Sequence, residues 1–253
     1  GRGTKSMRLF LLDKSYDGST LYNLKKRDIQ YLEKVLRLKE GTVFTAKDSS
    51  ENYYKATILS DGVLSLIPTT DIEDTLLDAL SSYTGPFVPI DMYISILKGK
   101  KNETVVRALT EIGVRKITFI STRYTQESDF SSHQKERLVI IEKEAVQQCG
   151  GKTPILAGPI SFEEAIKAAE GRKLILHQAQ RGKTKSLNEL FSEDKNLKKV
   201  VSCFIGPEGG FSDEECSFAE ENDAIPVLLN TNILRAETSA VYTAAAIQAI
   251  LQN

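Results

Sequence analysis

The pattern of apolar and polar residues changes near residues 70–90. Before this point, short runs of β-branched and aromatic residues are separated by turn residues, which is typical of β-strands. We predict strands at residues 8–11, 42–46, 53–59 and 63–67, with one helix at 28–38. The first part is therefore expected to form a small β-rich barrel that contains one helix.

After this point, predicted strands and helices alternate. The strands are expected at residues 90–97, 116–121, 173–177, 200–205 and 224–229, and the helices at 102–113, 132–149 and 161–170, with further helices after 212 and 235. Alternation of this kind predicts an α/β domain with a mostly parallel sheet. Residues 81–89, which include Gly85-Pro86 and Pro89, are expected to link the two parts.

A glycine-rich loop follows the predicted strand 200–205. Its glycines permit positive φ and let a ligand approach the backbone, while Pro207 stiffens the loop. Ser212 and Glu215 have the spacing of a capping box, which predicts a helix start. The loop lacks the glycine patterns that bind phosphates, and Glu208 would repel one. A ligand with a positive centre, or a neutral ring that contacts the backbone, fits better; the ordinary alternative is a tight turn.

A second loop follows the predicted strand 224–229. It leads to Arg235, Glu237 and Thr238, which cluster where the last helix is expected to begin. The ordinary interpretation of these charges is a structural ion pair at a helix N-terminus. Residues 240–251 are small and apolar on more than one face, so this helix is expected to be buried, partly in another subunit.

Together, the two loops resemble those of the SPOUT class of S-adenosylmethionine-dependent RNA methyltransferases. Within this class, they resemble the small-subunit methyltransferase E family, which methylates N3 of a uridine in 16S ribosomal RNA. The matching segments are Ile205-Gly206-Pro207-Glu208-Gly209-Gly210, Ile233-Leu234-Arg235 with Glu237-Thr238, Glu111-Ile112-Gly113-Val114, Val35-Leu36-Arg37, and Glu144-Ala145 with Gln147-Gln148-Cys149-Gly150. The resemblance runs from about Met7 to the C-terminus. The chain departs from the family pattern at Tyr31, Ala108, Gly151, Gln178 and Asn230.

The resemblance implies the fold and the partners. It implies a SPOUT-type α/β domain with a C-terminal trefoil knot at residues 86–253, which binds the cofactor. It implies a PUA-like RNA-binding β-barrel domain at residues 7–75. Alternation alone would suggest a Rossmann-like sheet, and only the resemblance introduces the knot. The implied partners are S-adenosylmethionine without a metal, 16S ribosomal RNA in the small ribosomal subunit, and a second copy of the chain in a homodimer.

The resemblance and the chemistry together suggest three groups of site residues. Arg235 is expected to stabilise negative charge that develops on the uracil, and Glu237 and Glu208 are candidate bases or orient Arg235. The candidate cofactor-binding residues are Leu176, His177, Ile205, Gly206, Glu208, Gly209, Gly210, Leu229, Asn230, Ile233, Leu234 and Thr238. The candidate RNA-binding residues are Arg8, Lys34, Arg37, Lys98, Lys100 and Arg107.

Composition adds further expectations. The net charge of −1 is unusual for an RNA-binding protein, but lysine and arginine concentrate at residues 25–39, 98–116 and 181–185. Such runs are more often solvated surface. Three cysteines without metal-like spacing and two isolated histidines predict a reducing, cytoplasmic setting without a metal site. No run is apolar and long enough to span a bilayer. Gly1–Ser6 resembles a leftover of recombinant expression, with Met7 as the expected native start.

Other functions remain open at the level of sequence. Another SPOUT enzyme could methylate a ribose 2′-oxygen or guanine N1, although the Arg-x-Glu-Thr form of the second loop and the N-terminal barrel argue against this. A ribosome-assembly factor could bind RNA without catalysis, although the intact glycines and Arg235 argue against that. A nicotinamide-dependent dehydrogenase is less favoured, because its glycine fingerprint is absent.

Overall fold

The computed structural model describes residues 9–69, 83, 85–177 and 184–252. Residue contacts divide the chain into two compact units, Gly1–Thr84 with Lys143–Gly151, and Gly85–Glu142 with Lys152–Asn253. Among the described residues, no helix has the length and apolar character needed to cross a membrane. Arg8, a candidate RNA-binding residue, and Gln178, a departure from the family pattern, lie outside the described residues.

The first unit contains a five-stranded sheet with the order β1-β3-β4-β5-β2. Its elements are β1 (Phe10–Leu11), β2 (Leu21–Asn23), α1 (Lys26–Ile29), β3 (Val43–Lys47), β4 (Tyr53–Ile58) and β5 (Val63–Pro68). β1 pairs in parallel with β3, and the other neighbours are antiparallel. The predicted strands at 42–46, 53–59 and 63–67 are confirmed. β2 was not predicted, because three residues with one buried side chain carry little periodic signal.

The helix predicted at residues 28–38 begins earlier and changes its geometry. It starts at Lys26 and continues as a π-helix over Gln30–Val35, where the Leu36 amide donates to the Tyr31 carbonyl at 2.9 Å. Arg37 follows in the left-handed region, with φ of 58°. This conformation at a helix end is usually adopted by glycine, so the segment around Arg37 is held in an unusual shape.

The second unit contains a six-stranded parallel sheet with the order β11-β9-β10-β6-β7-β8. The strands are β6 (Ile90–Ser95), β7 (Lys116–Ser121), β8 (Ile155–Ser161), β9 (Arg172–His177), β10 (Val201–Ile205) and β11 (Ile225–Leu228). The helices are α2 (Lys101–Ile112), α3 (Ser132–Cys149), α4 (Phe162–Ala168), α5 (Leu187–Glu193), α6 (Asp213–Glu221) and α7 (Ala236–Gln252). The part of α3 from Lys143 onward belongs to the first unit. The predicted parallel sheet is confirmed, and the α/β class with it.

Helices cover both faces of this sheet. Alternate residues of a strand point to opposite faces, so Met92 and Ile94 pack in one apolar cluster with α2 and α7. Tyr93, between them, packs in another cluster with α4 and α6, and its ring stacks on Phe204 at 4.7 Å. The strands are therefore buried on both sides, as their continuous apolar sequences indicate.

β8 and α5 were not predicted. β8 contains Gly158-Pro159, which resembles a turn in sequence, but the strand lies at a sheet edge, where proline is tolerated. The register shifts opposite it, between Thr118 and Ile120. A Cβ on Gly158 would lie 2.3 Å from the Phe119 carbonyl oxygen, so the close strand contact requires glycine there.

An ion pair joins the amino ends of β6 and β7. Arg115 donates from Nε and Nη2 to the Asp91 carboxylate at 2.8 and 2.5 Å, and Nη2 also contacts Glu170 at 3.3 Å. Asp91 is 2% exposed. A buried carboxylate needs such a partner, because an uncompensated buried charge strongly destabilises the fold.

Glu142 on α3 is a buried carboxyl that produces a testable pH dependence. Burial raises its pKa from 4.5 to about 7. Between these values, the folded state keeps a proton that the unfolded state has lost, so stability falls as pH rises from about 4.5 to about 7. We expect Glu142→Gln to remove this pH-dependent loss of stability, which amounts to at most about 3 kcal/mol at pH 8. Urea unfolding at pH 5 and pH 8 measures the change in the free energy of unfolding. Glu136→Gln, an exposed position on α3, should keep the wild-type pH dependence. Equal pH dependence in Glu142→Gln and wild type would contradict the expectation.

Candidate active site

The carboxyl ends of the parallel strands gather the two predicted loops. Because all six strands run in the same direction, the segments that leave β6, β9, β10 and β11 emerge at one edge of the sheet. In α/β sheets, ligands bind in the crevice outside this edge. The segment after β6 leads to α2, the one after β10 to α6 and the one after β11 to α7, while β9 ends at His177.

The glycine loop has the rigid form that its sequence predicts. The Gly210 amide donates to the Pro207 carbonyl at 2.9 Å, and Gly210 has φ of 73°. The predicted capping box is confirmed: the Ser212 amide donates to Glu215 Oε1 at 2.9 Å, and the Glu215 amide donates to Ser212 Oγ at 3.1 Å. The loop is therefore anchored between the end of β10 and the capped start of α6.

The second loop joins β11 to α7. Arg235 directly precedes α7, and its carbonyl accepts from the Ser239 amide at 2.8 Å. The exposed segment before it includes Asn230 and Ile233, and Ile233 is 79% exposed. Asn230, where the chain departs from the family pattern, has no left-handed backbone: the described non-glycine residues with positive φ are Arg37, Glu51 and Asp223. The loop turns without this conformation at Asn230.

A cavity of about 270 Å³ lies between the two loops. Nine of the twelve candidate cofactor-binding residues line it: Leu176, His177, Ile205, Gly206, Gly209, Gly210, Leu229, Ile233 and Leu234. Glu208, Asn230 and Thr238 do not line it. The lining also includes Pro207, Phe211, Leu228, Thr231, Asn232, Ala236 and Ser239. Glycines of the first loop and aliphatic residues make up much of the lining, which suits a flat ring.

Lys101 connects the two candidate bases. Its Nζ lies 3.4 Å from Glu208 Oε1 and 4.0 Å from Glu237 Oε1, so it brings together carboxylates of the glycine loop and of α7. In sequence, Lys101 belongs to a lysine-rich run and received no role of its own. One signal could have identified it: Lys101 shares a helical face with Val105, Leu109 and Ile112, the apolar side of α2.

The positions of the cations are electrostatically costly. Lys101 is the first residue of α2, and Arg235 directly precedes α7. A helix N-terminus carries partial positive charge, which disfavours a nearby cation by about 0.3–1 kcal/mol. Arg235 is exposed, and its guanidinium makes no hydrogen bond or ion pair with any described residue. Glu208 and Glu237 offset the charge of Lys101, whereas the charge of Arg235 has no partner among the described residues and favours an anion beside it.

The two carboxylates have different surroundings. The Glu208 side chain is 40% exposed, whereas that of Glu237 is 17% exposed. Glu237 Oε2 is buried and has no hydrogen-bond partner among the described residues. Within the described part of the chain, no cluster of three or more histidine, cysteine, aspartate or glutamate side chains could hold a metal ion.

The candidate RNA-binding residues fall into separate groups. Lys34 and Arg37 are exposed in the first unit. Lys98, Lys100 and Arg107 are exposed in the second unit, in the loop before α2 and on its outward face. The structure thus leaves the side chains of all five described candidates open to solvent.

Known proteins resemble this chain in sequence and fold. Residues 85–248 match the model of a family described as RNA methyltransferase domain. A ribosomal RNA small subunit methyltransferase E 2 from Borreliella burgdorferi is 33% identical, over 65% of this chain and 67% of that protein. This chain belongs to the ribosomal RNA small subunit methyltransferase E family.

Further members of this family cover more of the chain. Its member from Synechocystis is 27% identical, over 89% of this chain and 72% of that protein. The structure of its member from Neisseria gonorrhoeae, solved bound to S-adenosyl methionine, superposes with a TM-score of 0.74 at 21% identity. That match covers 97% of this chain and 98% of the other, and it shows the shared fold.

Lys101 and Arg115 form a matched pair for testing structural and functional cations in this family member. Each bridges two carboxylates, but Arg115 neutralises the buried Asp91, whereas the partners of Lys101 are more exposed. We expect Arg115→Ala to lower the free energy of unfolding by about 3 kcal/mol. Lys101→Ala should change it by less than about 1 kcal/mol. Urea unfolding measures both, and an equal loss in the two variants would assign Lys101 a structural role.

Proposed function

We propose that this protein transfers a methyl group from S-adenosylmethionine to N3 of a specific uridine in 16S ribosomal RNA of the small subunit. The observation that carries this proposal is the cavity between the glycine loop and the second loop. Glu208 and Arg235 belong to these two loops, and Lys101 pairs with Glu208. The names of the family members, and the cofactor bound to the Neisseria protein, support the same reaction.

The cavity fits S-adenosylmethionine. Leu176, Ile205, Leu229 and Leu234 offer aliphatic contacts for the adenine ring. A Cβ on Gly206 would lie 3.1 Å from the Gly210 carbonyl carbon, so the loop folds closely at this point. The cofactor supplies a methyl group on a positively charged sulfur. The carboxylates of Glu208 and Glu237 beside the cavity suit such a positive centre, and the sequence has no phosphate-binding glycine motif there.

Glu208 is the proposed acceptor of the uracil N3 proton. N3 becomes a good nucleophile only when this proton leaves, and a positioned carboxylate can accept it. Glu208 is exposed enough to reach a bound base, whereas one oxygen of Glu237 is buried. Lys101 contacts both carboxylates, so we assign it the role of holding Glu208 in place against Glu237.

Arg235 is proposed to stabilise the anion that remains. Loss of the N3 proton spreads negative charge over the two flanking carbonyl oxygens of uracil. The guanidinium of Arg235 offers a rigid fork of donors and is not engaged by any described residue. The N-terminus of α7 adds partial positive charge beside it. These donors are in place before the reaction, which lowers the cost of charge development.

We propose the same domain roles, knot, homodimer and setting that the family resemblance implies. The five-stranded sheet and the exposed Lys34 and Arg37 support a PUA-like RNA-binding role for residues 7–75, with residues 86–253 as the catalytic domain. The strand order supports a trefoil knot, because β10 lies between the earlier strands β9 and β6, and β11 then lies beyond β9. Ile233 and Tyr242, 79% and 43% exposed, support a homodimer that covers them. The proposed setting is the cytoplasm, where ribosomes are found.

Cofactor binding and nucleotide mapping test the reaction. We expect saturable binding of S-adenosylmethionine in calorimetry, weakened at least about tenfold by Gly210→Val, because a branched residue at φ of 73° distorts the loop. Gly18→Val is the matched control, since Gly18 has φ of 89° and equally open surroundings in the first unit. Mass spectrometry should then locate N3-methyluridine in 16S RNA.

Two other results would each replace the proposal. A methyl group on ribose or guanine N1 would assign the protein to another SPOUT activity. No cofactor binding, even with small-subunit RNA present, would favour an RNA-binding assembly factor.

The division of roles among the charged residues has its own test. We expect Arg235→Ala to slow methyl transfer by about 10²–10³-fold with unchanged cofactor affinity. Glu208→Gln should slow it by about 10²–10⁴-fold, with a residual rate that rises with pH as solvent hydroxide replaces the carboxylate. Glu237→Gln should have the smaller effect of the two. Single-turnover rates across pH measure all three, and a larger loss in Glu237→Gln would exchange the assigned roles.

A further inference from the structure

A second cavity lies beside the start of α2. Its volume is about 160 Å³. The residues that matter for its chemistry are Gly99, Glu103, Phe130, His133, Gln134 and Arg137. It is little more than half the size of the cavity between the two loops, which is about 270 Å³, so it suits a single aromatic ring better than a complete nucleoside.

The walls suit a planar ring with polar edges. Phe130 is 7% exposed and is fixed edge-to-face on Phe119 at 4.9 Å, which gives the cavity an apolar wall. The Arg137 guanidinium, a flat group suited to stacking, is held by Glu103 at 3.5 Å. Gln134 Oε1 accepts from the Ser131 amide at 2.8 Å, while Nε2 makes no hydrogen bond to the described residues. Nε2 therefore remains available as a donor.

The neighbouring loop suits a phosphate. Gly99 lines the cavity between Lys98 and Lys100, and both lysines are exposed without an ion-pair partner among the described residues. Gly99 has φ of 59°, and a Cβ there would meet no atom within 4 Å. The loop thus places two cations next to a ring-sized cavity, an arrangement that suits one nucleotide of a single strand.

The position relates this cavity to the proposed reaction. Lys101 contacts Glu208 and Glu237, and the next two residues of the same helical turn, Asn102 and Glu103, line the cavity. We propose that this cavity binds the base of an RNA nucleotide neighbouring the methylated uridine, with its phosphate on Lys98 and Lys100. This inference rests on the proposed function, since it takes RNA as the substrate.

The two histidines provide a separate reporter for each cavity. The chain contains His133 and His177 and no other histidine. His133 lines the second cavity and His177 lines the larger one. An NMR spectrum of histidine side chains in untagged protein should therefore contain two ring systems, which His133→Gln assigns. We expect a nucleoside monophosphate to shift the ring signals of His133, and S-adenosylmethionine to shift those of His177.

The probes are AMP, CMP, GMP and UMP, with inorganic phosphate as the control for the lysines alone. A shift of His133 by at least one nucleotide, but not by phosphate, supports the subsite. Gln134→Ala should lower the binding affinity for that nucleotide by about five- to tenfold, which is the loss expected for one hydrogen bond. A shift of His133 by phosphate alone, or by none of the probes, overturns the subsite. If S-adenosylmethionine still moves His177 in that case, the proposed function remains.

Activity provides the second measurement. The double variant Lys98→Ala/Lys100→Ala should raise KM for the RNA substrate by about tenfold or more, with little change in kcat. Lys195→Ala/Lys198→Ala is the matched control, because it removes two exposed lysines before β10, at the opposite edge of the sheet. An equal rise in KM for the two pairs would indicate a general charge effect and would contradict a specific phosphate contact at Lys98 and Lys100.

Discussion

The parallel direction of the six strands is the constraint on which the site depends. It places the ends of β6, β9, β10 and β11 at one edge, so Lys101 and Glu237 meet although 136 residues separate them in the chain. The opposite edge carries the bidentate pair between Arg115 and the buried Asp91, which fixes the strand starts. The candidate binding residues and the stabilising ion pair thus lie at opposite ends of the strands. Residues at the carboxyl edge can consequently be chosen for function rather than for stability.

The same separation explains the placement of the cations. At the amino edge, Arg115 satisfies a carboxylate that would otherwise be buried and uncompensated, so its contribution is structural. At the carboxyl edge, Lys101 and Arg235 occupy helix starts where a cation is disfavoured and exposed ion pairs return little energy. Stability therefore does not account for these two residues. An anion on the substrate would give Arg235 the partner that it lacks among the described residues, and the proposed uracil anion is such a group.

Sequence could predict the elements whose signals are local. The strand at 116–121 and the helix at 132–149 have the predicted bounds, and the capping box at Ser212 and the helix end at Gly113 depend on neighbouring residues only. β8 escaped prediction because proline and glycine in it are tolerated only through its position at a sheet edge. Lys101 escaped because its two partners are distant in sequence. Both failures concern information that arises when distant segments pack together.

The two cavities differ in how their chemistry is encoded. The lining of the larger one includes Gly206, Gly209 and Gly210, which form a motif that can be recognised from sequence. The smaller one is built mostly from side chains, namely Phe130, His133, Gln134 and Arg137, which many residue types could replace.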